Sequence, residues 1–277
     1  DVSELISGVQ KIFFDIDPDL GRSFETMVTH GLLDLESRKG KAPGGYQNTL
    51  AEARQPFIFM NAVGVDADVR TLLHEGGHAF HAMACAHEPL HAYRYPPIEF
   101  CEIASMSMEL LGNQFLNVFY NEADAARSVE NHLEGVVRIL IWVANIDAFQ
   151  HWIYEHPGQT MQDRRSKWME LYRMFHGPDV DWSGLESYGE ILWHRQLHIF
   201  EVPFYYIEYG IAQLGALQIW KNAQKNRPEA LMKYKQAMAL GGSRTLPELF
   251  ATAGVEFDFS EKTIAPLVDE LACELRV

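Results

Sequence analysis

Between Thr71 and Ala86 the chain reads Thr-Leu-Leu-His-Glu-Gly-Gly-His-Ala-Phe-His-Ala-Met-Ala-Cys-Ala. This apolar, helix-forming stretch with His74 and His78 one turn apart constrains the fold more than any other. On an α-helix the two imidazoles share a face, about 6 Å apart along the axis at 1.5 Å per residue, so both reach one ion. This is the H-E-x-x-H zinc pattern. Zinc takes nitrogen ligands at about 2.0–2.1 Å in tetrahedral geometry, and a catalytic site leaves one position for water. A third protein ligand is therefore needed. Glu75, about 100° around the helix from His74, stands beside the open position, where its carboxylate can take a proton from water as general base. Gly76 and Gly77 each cost about 1 kcal/mol against Ala in a helix interior, and the pair predicts close approach by another backbone or by a substrate. The bland alternative is two histidines on an ordinary helix face.

A second helix is expected from Ile98. It carries Glu102 and Glu109, seven residues apart and on one face, in a segment too apolar to expose that face to water. Buried acids need partners. Glu102 is far enough beyond His78 for an antiparallel helix to bring it back as the third zinc ligand, and Glu109, two turns on, can orient a ligand imidazole through its other nitrogen.

The rest of the chain predicts a mostly α-helical protein with a small β-sheet near the motif helix. Residues 18 to 35 carry Leu20, Phe24, Met27, Val28, Leu32 and Leu33 at helical spacing. The Gly- and Lys-rich stretch 36–50 predicts a hairpin or irregular loop, and Pro56 to Val63 a strand whose sheet can pair with an extended peptide. Asp66 or Asp68 caps the motif helix. A long helix is expected over 122–155, another over 160–175 ending at Gly177-Pro178, a turn-rich link over 179–187, helices over 211–240, and two short ones near 246–253 and 260–274. Within 193–210, His198 and three tyrosines, Tyr205, Tyr206 and Tyr209, fall close together, with Pro203 where a helix would begin. Phenols and an imidazole converging on one place are donors for an oxyanion. The alternative is an aromatic core stripe.

The formal charge of −15 is spread along the chain with no basic run, which argues against nucleic acid and anionic membranes as partners. No stretch is long and apolar enough to span a bilayer, and the first residues are not a signal peptide. Cys85, Cys101 and Cys273 are widely spaced with no C-x-x-C, the pattern of reduced thiols in a cytoplasmic protein. The length predicts one large domain, 1–277, or two packed lobes, a metal-site lobe over 1–120 and a helical lobe over 121–277.

Taken together, Gly40-Lys-Ala-Pro-Gly-Gly-Tyr46, Pro56-Phe-Ile-Phe-Met-Asn61, His74-Glu-Gly-Gly-His78-Ala-Phe-His81, Glu99-Phe-Cys-Glu102-Ile-Ala-Ser-Met-Ser-Met-Glu109 and His198 to Tyr209 resemble the thimet oligopeptidase and oligoendopeptidase F family of zinc metallopeptidases, in its oligoendopeptidase F and Pz-peptidase branch. The resemblance implies a helical zincin-type catalytic domain. It implies zinc on His74, His78 and Glu102, with Glu75 activating water. His198, Tyr205, Tyr206 and Tyr209 would bind the substrate carbonyl and the developing oxyanion, and Tyr46 would contact substrate. Pro203 departs from the pattern, standing where some members have another tyrosine. The family also has an N-terminal helical half that walls a channel admitting only short peptides. Here that half is absent, so the chain reads as the C-terminal catalytic half, and homo-oligomerisation or association with the missing half is expected.

The expected activity is cleavage of internal bonds in short, unstructured peptides. One rival is a zinc carboxypeptidase of similar helical build, using Arg195 or Lys41 to hold the substrate's terminal carboxylate. The other is a zinc- or peptide-binding half that does not turn over without a partner chain.

Overall fold

Asp1 caps the first helix, its side chain accepting from the Ser3 amide at 3.0 Å, and α1 (Val2–Ile16) buries Leu5, Val9, Ile12, Phe13 and Ile16 along one stripe. This is a computed structural model that describes residues 1–177 and 180–276. α2 (Pro18–Thr29) starts with Asp17 as its cap and Pro18 in its first turn. It is shorter than the helix expected over 18–35. Gly31 takes a left-handed φ of 67°, which ends the helix, and Leu33–Glu36 becomes strand β1.

β2 (Tyr46–Leu50) and β3 (Gln55–Ala62) form a hairpin, and β1 lies on the far side of β3, giving the order β1-β3-β2. β1 runs parallel to β3 with Leu33 opposite Ile58, and β2 runs antiparallel with Tyr46 opposite Phe59. The Gly- and Lys-rich stretch is the connection from β1 to β2, and two side chains tie it down. Lys41, its side chain 1% exposed, points its ammonium at Asp34 Oδ1 (3.1 Å) and at the carbonyls of Asp34 (2.9 Å), Glu36 (2.8 Å) and Met60 (2.5 Å). It also lies 4.4 Å from the Phe59 ring centroid. Asn61 donates to the carbonyls of Ala42 and Gly44, both at 2.9 Å.

α3 (Asp66–Cys85) follows the sheet. Neither expected Asp is the N-cap, which is Val65; Asp68, in the first turn, instead accepts from the preceding amides of Val63 (2.9 Å), Gly64 (2.6 Å) and Val65 (3.0 Å). α4 (Ile98–Gly112) comes next, then α5 (Glu122–Glu155) and α6 (Met161–His176). Pro178 and Asp179, where the helix stop and the start of the link are expected, lie outside the described residues. Two single-turn helices, α7 (Glu186–Gly189) and α8 (His198–Glu201), lead to α9 (Ile207–Met238), which kinks at Asn226 two residues before Pro228. Pro203 does not open a helix: Phe204 behind it takes φ 65°, so the pair makes a turn and α9 starts at Ile207. α10 (Leu246–Ala253) and α11 (Glu261–Leu275) complete the described elements.

The chain divides into two compact units, one of residues 1–131 with 212–277 and one of residues 132–211. In the first, Phe13 of α1 packs on Phe24 of α2 at 5.1 Å and on Phe80 of α3 at 4.7 Å between ring centroids. In the second, Phe149 of α5 lies among Trp168 (5.3 Å) and Trp193 (5.2 Å), with Val143, Ile146, Leu171, Ile199 and Tyr206 buried in the same cluster. No helix among the described residues is long and apolar enough to cross a membrane.

Candidate functional site

The two glycines of the motif explain how α3 is seated. A Cβ on Gly76 would fall 2.4 Å from the Phe13 ring, and one on Gly77 would fall 2.5 Å from the Ala104 carbonyl oxygen and 2.6 Å from Ser105 Cα. Gly76 thus admits an α1 side chain and Gly77 admits the α4 backbone itself. This is the close backbone approach expected from the paired glycines. Tyr234 of α9, fully buried, donates to the Ala104 carbonyl at 2.8 Å and braces α4 at the same place.

The close approach of α3 and α4 brings the expected ligands together. His74 Nε2 lies 3.3 Å and His78 Nε2 3.6 Å from Glu102 Oε2, and the two ring nitrogens are 3.2 Å apart. One ligand atom from each residue falls within 4.8 Å of the others, a group able to hold a metal ion. Glu109 Oε1 sits 2.6 Å from His74 Nδ1, so it orients the imidazole and leaves Nε2 to face the other ligands. Ser105, which carried no expectation, shares its hydroxyl proton between the Glu102 carbonyl (2.9 Å) and Glu102 Oε2 (3.0 Å), the oxygen that faces the histidines.

Burial and mutual hydrogen bonding shift these groups in opposite directions. Burial opposes charge on His74, but hydrogen bonds with Glu102 and Glu109 outweigh it and raise its pKa well above the ordinary value. Burial and the charge on His74 push His78 down to about 4. Burial would raise Glu102, yet the hydrogen bond from His74 and the charges of both histidines lower it. Two imidazole nitrogens and a carboxylate oxygen facing one point form a donor set that a divalent cation satisfies.

Glu75 is 6% exposed and outside this set. Its Oε2 is buried with no hydrogen-bond partner among the described residues, and burial raises its pKa, opposed by the His74 charge and by the Gln47 backbone amide of β2. The strap held by Lys41 and Asn61 therefore delivers β2 to Glu75. An open recess of about 300 Å³ lies here, lined by Gly45, Arg70, Thr71, His74, Glu75 and Glu109. Arg70, also unforeseen, is held by Asn113 and by Ser128 Oγ (2.8 Å). Tyr46 is half exposed and stacks on Phe59 at 5.0 Å.

In the second unit the four aromatic residues expected to act together form one group. The His198 ring lies 5.9 Å from Tyr205, 4.9 Å from Tyr206 and 5.8 Å from Tyr209, and Tyr209 meets Tyr205 at 5.8 Å and Tyr206 at 5.4 Å. Tyr206 is buried within the unit's core, so the core-stripe alternative holds for that ring in part. Arg195 stacks its guanidinium 4.8 Å from the Trp142 ring centroid.

Comparison with known proteins places the chain in a family. The model of peptidase family M3 matches residues 19–268. The chain belongs to that family. Among curated relatives of this family M3 chain, an oligoendopeptidase F homolog of Borreliella burgdorferi is 23% identical over 268 residues, covering 92% of this chain and 44% of the relative. Oligopeptidase PepF of Bacillus subtilis is 24% identical over 265 residues, covering 92% of this chain and 38% of the relative. The solved structure of Pz peptidase A with an inhibitor superposes with a TM-score of 0.90 at 33% identity, over all of this chain and 49% of that one. The chain thus spans less than half the length of these proteins.

Proposed function

We propose that this family M3 chain carries the catalytic groups of a zinc-dependent endopeptidase acting on internal bonds of short, unstructured peptides. The observation that carries the reading is the separation of roles on α3: His74 and His78 point at Glu102, while Glu75 between them is buried, outside the ligand set and without a partner at Oε2 among the described residues. His74, His78 and Glu102 would hold zinc, which when bound supplies Lewis acidity toward a carbonyl and toward water. Glu75 takes the water proton on its carboxylate and returns it to the leaving amine; burial, which raises its pKa, suits it to hold that proton for the second transfer. Glu109 keeps His74 in register through Nδ1. His198 with Tyr205, Tyr206 and Tyr209 is assigned the donors to the substrate oxygen, and Tyr46 a contact with substrate, on the family resemblance.

The carboxypeptidase reading needs a cation ready for a terminal carboxylate. Lys41 is committed to four acceptors in the strap and Arg195 is stacked on Trp142, which supports the endopeptidase. The free thiols of Cys85, Cys101 and Cys273 fit a reducing, cytoplasmic setting. Partners for the length that the relatives have beyond this chain, a second copy or a separate half, belong to the same proposal.

The test is cleavage of an internally quenched peptide with an amidated C-terminus, with zinc quantified in the same sample. Chelator-sensitive internal cleavage, lost in Glu75→Gln while zinc is retained, is the expected result. A Glu75→Gln variant cleaving at near the wild-type rate would overturn the base assignment, and cleavage only of peptides with a free terminal carboxylate would favour the carboxypeptidase. Zinc without any cleavage would move the function to a complex or to binding alone.

A further inference from the structure

A neutral imidazole carries one donor and one acceptor, and which nitrogen holds the proton is set by what the other one meets. For His198 that question has an answer in the second unit. Trp142 Nε1 can only donate, and it lies 2.9 Å from Gln196 Oε1. The amide is therefore fixed with its oxygen toward the indole and its NH2 turned away. That NH2 nitrogen lies 2.6 Å from His198 Nδ1. An amide NH2 only donates, so Nδ1 must accept and the ring proton sits on Nε2. We infer that Gln196, oriented by Trp142, is a positioning residue that holds His198 as the Nε2–H tautomer, so that the imidazole offers a donor and not a lone pair to a substrate oxygen. The inference rests on the reading of His198 as a substrate-facing group.

Two further observations support it. The indole that starts the relay is itself fixed, with the Arg195 guanidinium over its ring at 4.8 Å and Trp168 edge-on at 5.6 Å. Burial lowers the His198 pKa, with Glu201 opposing it, and a ring protonated at both nitrogens would turn Nδ1–H against the Gln196 NH2.

The test is histidine-selective 15N labelling of the chain with long-range proton–nitrogen correlation, the His198 signals being assigned by their loss in His198→Gln. The wild type should show Nδ1 unprotonated and Nε2 protonated. Gln196→Glu replaces the NH2 by an acceptor, while still accepting from Trp142, and should move a proton onto Nδ1. Trp142→Phe frees the amide to turn over and should give a mixture of tautomers. A wild-type His198 protonated at Nδ1, or a folded Gln196→Glu with an unchanged tautomer, would overturn the inference. If Gln196→Glu does not fold, the wild-type spectrum alone decides. In the peptide assay, Gln196→Glu should lower kcat ~100-fold, the scale of losing one oxyanion donor, with KM little changed. Wild-type chain that shows the Nε2–H tautomer but cleaves nothing would sink the endopeptidase reading and leave the positioning role standing; cleavage with His198 protonated at Nδ1 would do the reverse.

Discussion

Replacing Gly77 by Ala should damage zinc binding although the residue touches no ligand. The added Cβ would lie 2.5 Å from the Ala104 carbonyl oxygen, 2.6 Å from Ser105 Cα and 2.9 Å from the Ala104 carbonyl carbon. Ordinary contact begins near 3.4 Å, and the obstructing atoms are helix backbone, so α3 and α4 must separate locally by about 1 Å. Glu102 is less than one turn from that contact, and its Oε2 already sits 3.3 Å from His74 Nε2. Zinc sites tolerate ligand displacements of only about 0.2 Å, so a shift several times larger takes Glu102 out of the set. Losing an outer-shell partner costs ~10–100-fold in metal affinity, and displacing a ligand should reach at least the upper end of that range.

For stability, backbone overpacking costs about 1–3 kcal/mol, while Gly→Ala in a helix returns about 1 kcal/mol. With backbone on the receiving side the upper end applies, leaving a net loss of about 2 kcal/mol, or roughly 4 °C in Tm for a chain of this size. The assay is a competition titration of zinc against a fluorescent chelator, with thermal melting of the metal-free chain followed by circular dichroism. Gly135→Ala is the control. It lies within α5 with nothing inside 4 Å of its added Cβ, and should gain up to ~1 kcal/mol with zinc affinity unchanged. A Gly77→Ala chain that binds zinc as tightly as wild type would refute the argument that this approach sets the position of Glu102.

Lys41→Met should cost about 3 kcal/mol in urea unfolding, because it strips the shared cation from Asp34 and from the Glu36 and Met60 carbonyls; wild-type stability would show that the strap does not need it. Burial pushes the thiols of Cys85 and Cys101 up to about 12, whereas Cys273 is exposed, so a thiol reagent at pH 8 should modify one cysteine in the native chain and three after denaturation. His81 is fully buried, both ring nitrogens lack a partner among the described residues, and burial with the nearby His78 lowers it from 6.5 to about 3. A histidine depressed in the fold contributes its stability above the unfolded value and loses it as pH falls from 6.5 toward 3. At pH 5 the metal-free wild type should therefore have lost about 2 kcal/mol relative to His81→Leu, compared with the same pair at pH 8; parallel pH profiles of the two would count against a neutral buried His81.

What was legible in the sequence, and what was not, divides according to how far away the deciding partner lies. The motif helix, the second helix, α5, α6 and the closing pair carry their own periodicity, and α6 and α10 their own caps, so their existence and type follow from neighbours a turn away. No helix was expected over residues 2–16, although α1 carries the same kind of signal, with Leu5, Val9, Ile12, Phe13 and Ile16 on one stripe behind the Asp1 cap. β1 is not legible in this way. Leu32 and Leu33 continue the apolar spacing of α2, and only Gly31 and pairing with Ile58 across the sheet make Leu33–Glu36 a strand. At the metal group, His74, His78 and Glu75 are readable because one helix carries all three, and Glu102 and Glu109 because acids on an apolar face demand partners. Ser105 gives no such signal, since a small hydroxyl inside a helix reads the same whether or not it holds a carboxylate. Gln196 is the sharper case. It stands two residues from His198, near enough to be noticed, yet an amide can donate or accept. What decides between them is Trp142 Nε1, 54 residues away in sequence and on another element. The identity of a histidine in a site is thus a property of the sequence, whereas the nitrogen that carries its proton is a property of the packing that surrounds it.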